Sequence, residues 1–248
     1  NQLVTADILN EENSFLLTGE TIEKMDVINT IKDINFKPND KFYFFWHGHG
    51  DSQENYDGGE TTLNKYDEYL DISPTDAIYD DELYQYINML LEDQEKWFFL
   101  DACHSGGFWG NYEEKEGDLE KLVNIYLATS TTENKSSMSS LLIGGKGLFT
   151  SALIDAYTYD GIFLSADTNE NGFIESIELN KYLDQYDWKP FLDTQVFENN
   201  LGDSYIFTED MWQPTFNKSD KFLGKSIYTT KSPIQSSTSQ VPEPGTLV

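Results

Sequence analysis

The only cysteine of the 248-residue chain, Cys103, stands in Trp97-Phe98-Phe99-Leu100-Asp101-Ala102-Cys103-His104-Ser105-Gly106-Gly107. This is an apolar run that stops at reactive side chains and small residues. All three histidines fall in two short segments: His104 beside the cysteine, and His47 and His49 in Phe44-Phe45-Trp46-His47-Gly48-His49-Gly50. Each segment reads as a buried strand, one ending at a nucleophile and the other at a base. An α/β sheet presents reactive groups at the carboxyl edge of its strands in this way. A thiol attacks well only as thiolate, and an adjacent imidazole with oriented amides favours that form. Taken singly, Cys103 reads as a buried structural thiol and His49 as a satisfied strand-end histidine. Their pairing at two strand ends, 54 residues apart (49 to 103), favours nucleophilic catalysis.

The elements that must position these residues follow from hydrophobic spacing. Residues 14–17 predict a short strand. Ile22, Met25, Ile28 and Ile31 recur at helical spacing and predict an amphipathic helix over 21–34. Residues 41–47 are too continuously aromatic for a half-exposed strand, so they predict a buried one. The polar stretch 51–66 reads as a loop and 69–72 as a short strand. Asp80-Asp81-Glu82 opens a helix whose inward face is Leu83, Ile87, Leu90 and Leu91. Strands are predicted over 97–100 and 123–128, with a polar loop over 129–140. A helix over 147–157 turns Leu148, Phe149, Ala152, Leu153 and Ala156 inward. Strands alternating with helices at this spacing predict an α/β fold: a three-layer, mainly parallel sheet with helices on both faces. Residues 191–225 are aromatic without a clear pattern. Residues 232–248 are rich in Ser, Thr, Gln and Pro and predict a disordered tail.

Composition limits the partners. A hydrophobic content of 38% can fill the core of one large domain or two small ones. The formal net charge of −28 comes from 44 acidic residues against 16 basic ones, all of them lysine. Such a chain repels phosphate backbones, which argues against nucleic acid, and attracts cations and basic peptides. The alternative reading is that the charge does no more than keep a protein soluble, as in secreted proteins. One cysteine excludes an internal disulfide and a cysteine-based zinc site. No apolar run reaches membrane-spanning length. The chain starts without methionine, so a mature form or a fragment is expected.

Asp101-Ala102-Cys103-His104-Ser105-Gly106 and His47-Gly48-His49-Gly50, in this order and spacing, resemble the caspase/legumain (clan CD) superfamily of cysteine peptidases. The wording is most similar to metacaspases, with motifs Y-S-G-H-G and D-x-C-H-S-G, and to bacterial caspase-like peptidases. The likeness takes in Leu16-Leu17-Thr18, Asp80-Asp81-Glu82-Leu83 and Ala128-Thr129-Ser130, and runs from about Ser14 to Tyr186. It implies a caspase-haemoglobinase-type domain over residues 1–230 and a cysteine endopeptidase acting on protein or peptide substrates. Cys103 is then the nucleophile and His49 the general base and acid, with the backbone N–H groups of Cys103 and Gly50 holding the oxyanion. Asp101 matches the position lining the primary specificity pocket, which implies cleavage after Lys or Arg. His47 stands in the same substrate pocket, where the family has a small serine. His104 reads as structural. Lys135 is a candidate self-processing site. Relatives carry a strand and helix ahead of the Leu-Leu-Thr segment, so these elements are expected to be missing here. Rivals remain: Asn-specific cleavage or transamidation of the legumain kind, and a non-proteolytic calcium-binding envelope module.

Asp167-Thr168-Asn169-Glu170-Asn171-Gly172-Phe173-Ile174-Glu175-Ser176-Ile177-Glu178 fits the twelve-residue EF-hand calcium loop. Asp167, Asn169, Asn171, Glu175 and Glu178 would supply side-chain oxygens, Phe173 its carbonyl, and Gly172 the sharp bend. The alternative is a polar turn capping a helix. Asp51, Asp57, Glu60, Asp67, Glu68 and Asp71 form an acidic stretch, read as a solvated loop. Val241-Pro242-Glu243-Pro244-Gly245-Thr246-Leu247, in the 231–248 tail, resembles the start of a PEP-CTERM sorting signal. That likeness implies an exported bacterial protein of the cell envelope or extracellular space, attached to membrane only through a sorting segment absent here.

Overall fold

The computed structural model describes residues 15–19, 21–37, 40–54, 66–91, 94–109, 119–140, 146–160, 163–186, 193–201 and 205–208. The elements, in chain order, are α1 Lys24–Asp33, β1 Lys41–His47, β2 Gly50–Glu54, β3 Tyr66–Ser73, β4 Asp76–Tyr79, α2 Asp80–Leu90 and β5 Glu95–Asp101. They continue with β6 Ile125–Thr129, β7 Ser139–Ser140, β8 Lys146–Gly147, α3 Leu148–Ala156, β9 Tyr159–Asp160, β10 Phe163–Leu164, β11 Phe173–Glu175, α4 Ser176–Gln185, β12 Gln195–Asn199 and β13 Tyr205–Thr208. Short 3-10 turns occupy Ser105–Trp109 and Leu119–Lys121.

The central sheet has the order β1-β5-β6-β12. Its first three strands run parallel and β12 is antiparallel, so the sheet is mainly parallel. Alternation along each strand sorts its aromatic side chains between two cores. Phe42, Phe44, Trp46, Phe98 and Leu100 pack with α1, α2 and the β3–β4 hairpin. Tyr43, Trp97, Phe99 and Tyr126 pack with α3 and α4 on the opposite face. Each such side chain taken from water contributes about 1.5–3 kcal/mol. Both faces are therefore covered, which explains why β1 and β5 read as unbroken apolar runs.

Several local expectations change. Residues 15–18 form no strand. In α1, Met25 is 47% exposed and Val27 takes the inward position beside Ile28 and Ile31. Residues 51–54, at the start of the stretch read as a loop, belong to β2, which pairs with β3, and β3, which contains the expected strand 69–72, pairs with β4 in an antiparallel sheet. Within the unassigned 191–225 stretch, β12 closes the main sheet and β13 pairs with β11. The tail at 231–248, with its Pro-Glu-Pro motif, and the residues ahead of Phe15 lie outside the described residues.

Candidate active site

β1 and β5 pair in register, with His47 opposite Asp101. Both residues fall on the odd-numbered face, the one covered by α3, so the pleat turns them toward that helix. The first turn of α3 meets them there. Its N-cap is Gly147, which has no side chain to bond the helix amides. Asp101 does the capping from across the sheet: Oδ2 accepts the Thr150 N–H at 3.0 Å and the Thr150 hydroxyl at 2.5 Å. A Cβ on Gly147 would collide with that carboxylate, which accounts for glycine at the cap.

His47 Nδ1 lies 3.2 Å from Asp101 Oδ2 and 3.3 Å from Thr150 Oγ1. The Thr150 hydroxyl proton is spent on Asp101, so its lone pair faces the imidazole and Nδ1 stands between two acceptor oxygens. Ser137 donates its hydroxyl to Asp101 Oδ1 at 2.8 Å. Burial alone pushes the Asp101 carboxyl up. The hydrogen bond and charge of His47, then the hydroxyls of Thr150 and Ser137, outweigh burial and hold it below its ordinary value.

Cys103 follows directly at the end of β5. Its backbone is anchored through Ala102, whose N–H donates to Ser130 Oγ at 3.2 Å and whose carbonyl accepts that hydroxyl at 3.1 Å. The half-buried thiol accepts the Ser137 N–H at 3.3 Å. His104 takes a left-handed turn, φ 59°, which directs its ring away to the Glu133 carbonyl at 2.6 Å. Its Nε2 lies 3.8 Å from Asp51 Oδ1. The structural reading of His104 agrees with this placement.

The His49 segment is bound to the Cys103 strand. The Gly48 N–H donates to the Asp101 carbonyl at 3.2 Å. The His49 carbonyl accepts from the Asp71 N–H at 3.1 Å and from Trp46 Nε1 at 3.3 Å. The His49 ring is exposed and, among the described residues, makes no hydrogen bond to Cys103. Gly50 lies against the Cys103 backbone: an added Cβ would sit 2.7 Å from the Cys103 carbonyl oxygen and 3.1 Å from that of Tyr69. Two backbone oxygens cannot yield cheaply. Gly50→Ala is therefore expected to push the His49 segment off Cys103 and lower kcat by about 10²-fold with little change in KM, measured by steady-state kinetics.

The EF-hand-like loop bends at Gly172, φ 83°. Asp167 Oδ2 accepts the Gly172 N–H at 2.8 Å, and Asn171 Oδ1 the Phe173 N–H at 2.8 Å. Glu178 accepts the N–H groups of Thr168 and Asn169 through Oε1, and that of Glu175 through Oε2. Asn169 and Asn171 each donate a side-chain N–H to Glu175. The Glu178 carboxyl is raised by burial and by the adjacent Glu175 carboxyl, while Glu175 is lowered, first by its bond with Glu178. Among the described residues no three His, Cys, Asp or Glu side chains converge as a metal cluster. The loop's donors are instead carboxylate, amide and carbonyl oxygens, a set of the hard kind that suits calcium. α4 leaves this loop and packs on α3, where the Tyr186 hydroxyl donates to Asp155.

Of the residues singled out in the sequence, His47 and Asp101 are in direct contact, and Gly50 and Cys103 are adjacent. Thr150, Ser137 and Gly147 were missed. Gly147 at the start of an apolar helix, with Thr150 three residues on, was the legible trace of an anion-capped helix start.

Residues 8–110 match the family model of the metacaspase peptidase C14 domain, a stretch that includes both the His49 and the Cys103 segments. Metacaspase-6 of Arabidopsis thaliana is 25% identical over 147 residues, which make up 58% of this chain. The chain spans 38% of the length of that relative. A solved structure of a Geobacter sulfurreducens protein superposes with a TM-score of 0.49 at 18% identity, covering 72% of this chain and 74% of the other. The family-model match, over less than half of the chain, and the Arabidopsis relative make this chain similar to metacaspases, a caspase-like (clan CD) group.

Proposed function

We propose that the chain is a cysteine endopeptidase in which the Cys103 thiolate attacks the scissile carbonyl. His49 removes the thiol proton and later returns one to the leaving amine. The backbone N–H groups of Cys103 and Gly50 take the oxyanion. The observation that carries this reading is the tethering of the His49–Gly50 segment to the end of β5. Specificity for a basic residue before the scissile bond rests on Asp101, a buried carboxyl that His47, Thr150 and Ser137 hold below its ordinary value. Fluorogenic peptides ending in Lys or Arg are expected to be hydrolysed at least tenfold faster, in kcat/KM, than those ending in Asp or Asn; the reverse order would overturn the assignment.

Calcium binding at Asp167, Asn169, Asn171, Phe173, Glu175 and Glu178 belongs to the same proposal. It is supported by the bend at Gly172 and by two adjacent carboxyls that a cation would relieve. Isothermal titration with calcium is expected to give one site in the wild type and at least about tenfold weaker binding in Glu178→Ala. Identical traces would refute the site. Export to a bacterial envelope rests on the Val241–Leu247 sequence alone.

A further inference from the structure

We infer that the hydroxyls of Ser130 and Thr131 position the peptide unit between Ala102 and Cys103, and through it the N–H that holds the oxyanion. This role rests on the peptidase reading above. β5 lies between β1 and β6, so its successive carbonyls point to alternate neighbours. The Asp101 carbonyl faces β1 and takes the Gly48 N–H at 3.2 Å, so the Ala102 carbonyl faces β6. A trans peptide sets its N–H opposite its carbonyl. The Cys103 N–H therefore points back toward the β1 side, where the His49–Gly50 segment lies against Cys103. In a regular parallel ladder Gly48, having donated to Asp101, would return its own carbonyl to that N–H. Among the described residues no such bond forms, and the adjoining His49 carbonyl is held instead by the Asp71 N–H and Trp46 Nε1. The ladder thus releases one donor beside the thiol.

On the β6 side the strand pairing ends with Leu100 opposite Thr129, and side chains take over from the backbone. Ser130 Oγ accepts the Ala102 N–H at 3.2 Å and donates to the Ala102 carbonyl at 3.1 Å. The Thr131 hydroxyl donates to the same carbonyl at 3.4 Å. Both residues are buried, so these bonds are not traded for bonds to water. Gly106 lets their segment lie close over the turn after Cys103: an added Cβ would sit 2.7 Å from the Thr131 carbonyl oxygen. The two hydroxyls act on the oxyanion donor in two ways. They fix the plane of the peptide, so the Cys103 N–H keeps its aim as charge develops on the substrate oxygen. They also polarise the unit, since a carbonyl that accepts hydrogen bonds makes its own N–H a stronger donor. The sulfur is held separately, by the Ser137 N–H. Ser130 and Thr131 are therefore positioning residues for the tetrahedral step and not for the reactivity of the thiol.

Three readouts on the wild type, Ser130→Ala, Thr131→Val and Ser130→Thr separate this role from a purely structural one. In Ser130→Ala, kcat for a peptide ending in Lys is expected to fall at least about tenfold, with KM within about twofold. Affinity for the matching peptide aldehyde should fall by a similar factor. In that complex the Cys103 thiolate adds to the aldehyde carbon, a C–S bond forms, and the carbonyl π pair becomes an oxyanion at the same donors. Iodoacetamide alkylates Cys103 by displacement of iodide, with no oxyanion, so its rate should stay within about twofold of the wild type. Thr131→Val should show the same pattern with smaller effects and serves if Ser130→Ala does not fold. Ser130→Thr keeps the hydroxyl and should recover most of kcat. Alkylation slowed in step with kcat overturns the inference, as does an unchanged aldehyde affinity in Ser130→Ala. If the wild type hydrolyses no peptide, the peptidase reading fails, and calorimetry with the aldehyde decides the positioning role. Binding that requires Cys103 and weakens in Ser130→Ala supports it; binding that is absent, or unchanged in the variant, overturns it.

Discussion

Cys103→Ala is expected to lower peptide hydrolysis by at least about 10³-fold while leaving the melting temperature nearly unchanged. The separation is possible because the sulfur contributes little to the fold. It is half-buried and, among the described residues, its one hydrogen bond is from the Ser137 N–H. The backbone around it is fixed by Ala102 and Ser130, which the substitution does not touch. Because the chain has one cysteine, a thiol-directed peptide probe has a single possible target. Labelling should shift the mass by one adduct in the wild type and by none in the variant. Hydrolysis that survived in Cys103→Ala would remove the thiolate mechanism altogether.

The second large effect concerns stability. Asp101→Ala deletes the one buried acceptor shared by His47, Thr150 and Ser137, leaving the start of α3 uncapped and three half-buried residues without their acceptor. Removing one partner of a buried charged network costs about 3–5 kcal/mol. For a domain of this size that corresponds to a melting-temperature fall of roughly 6–20 °C. Hydrolysis after lysine should be lost at temperatures where the variant is still folded. The pH dependence has a definite sign. The folded Asp101 carboxyl lies below its unfolded value, so the unfolded chain binds the proton more readily and stability rises with pH through that interval. The contribution is present above the ordinary carboxylate value and is lost as pH falls through the lowered one. Asp101→Asn should flatten this part of the melting-temperature profile; an unaltered acid limb would show that Asp101 does not carry it.

Much of the architecture was legible because burial leaves a strong pattern. The unbroken aromatic run of β1 and β5 could come only from a sheet covered on both faces, and the helical spacing of Leu148, Phe149, Ala152 and Leu153 located α3. Of the β2–β3–β4 arm, only the 69–72 part of β3 was legible. Its residues pair through backbone groups, and the polar side chains of Asp51 to Glu54 carry no alternation to betray a strand. Cys103 and the histidines stood out by type and by strand ending, and Asp101 and Gly50 by resemblance. Thr150 and Ser137 did not, because a threonine in a helix and a serine in a polar loop become informative only when topology brings them to one carboxylate. Met25 failed for a simpler reason. α1 turns slightly from the face its spacing suggested, and Val27 fits inward in its place.

The alignment of β1 with β5 bears on how the chain finds a unique sheet. Greasy side chains line both faces of these strands: Phe42, Phe44 and Trp46 on one, Tyr43 and Phe45 on the other. A slip of one position would exchange one aromatic face for another at modest cost in buried area, so hydrophobicity alone specifies the alignment weakly. The strand ends break that degeneracy. Only the native offset sets His47 beside Asp101 and both beneath Thr150; any other strands a carboxylate in the apolar layer without its donors. The group proposed to read the substrate is therefore also the key by which the sheet tells its correct alignment from its near misses.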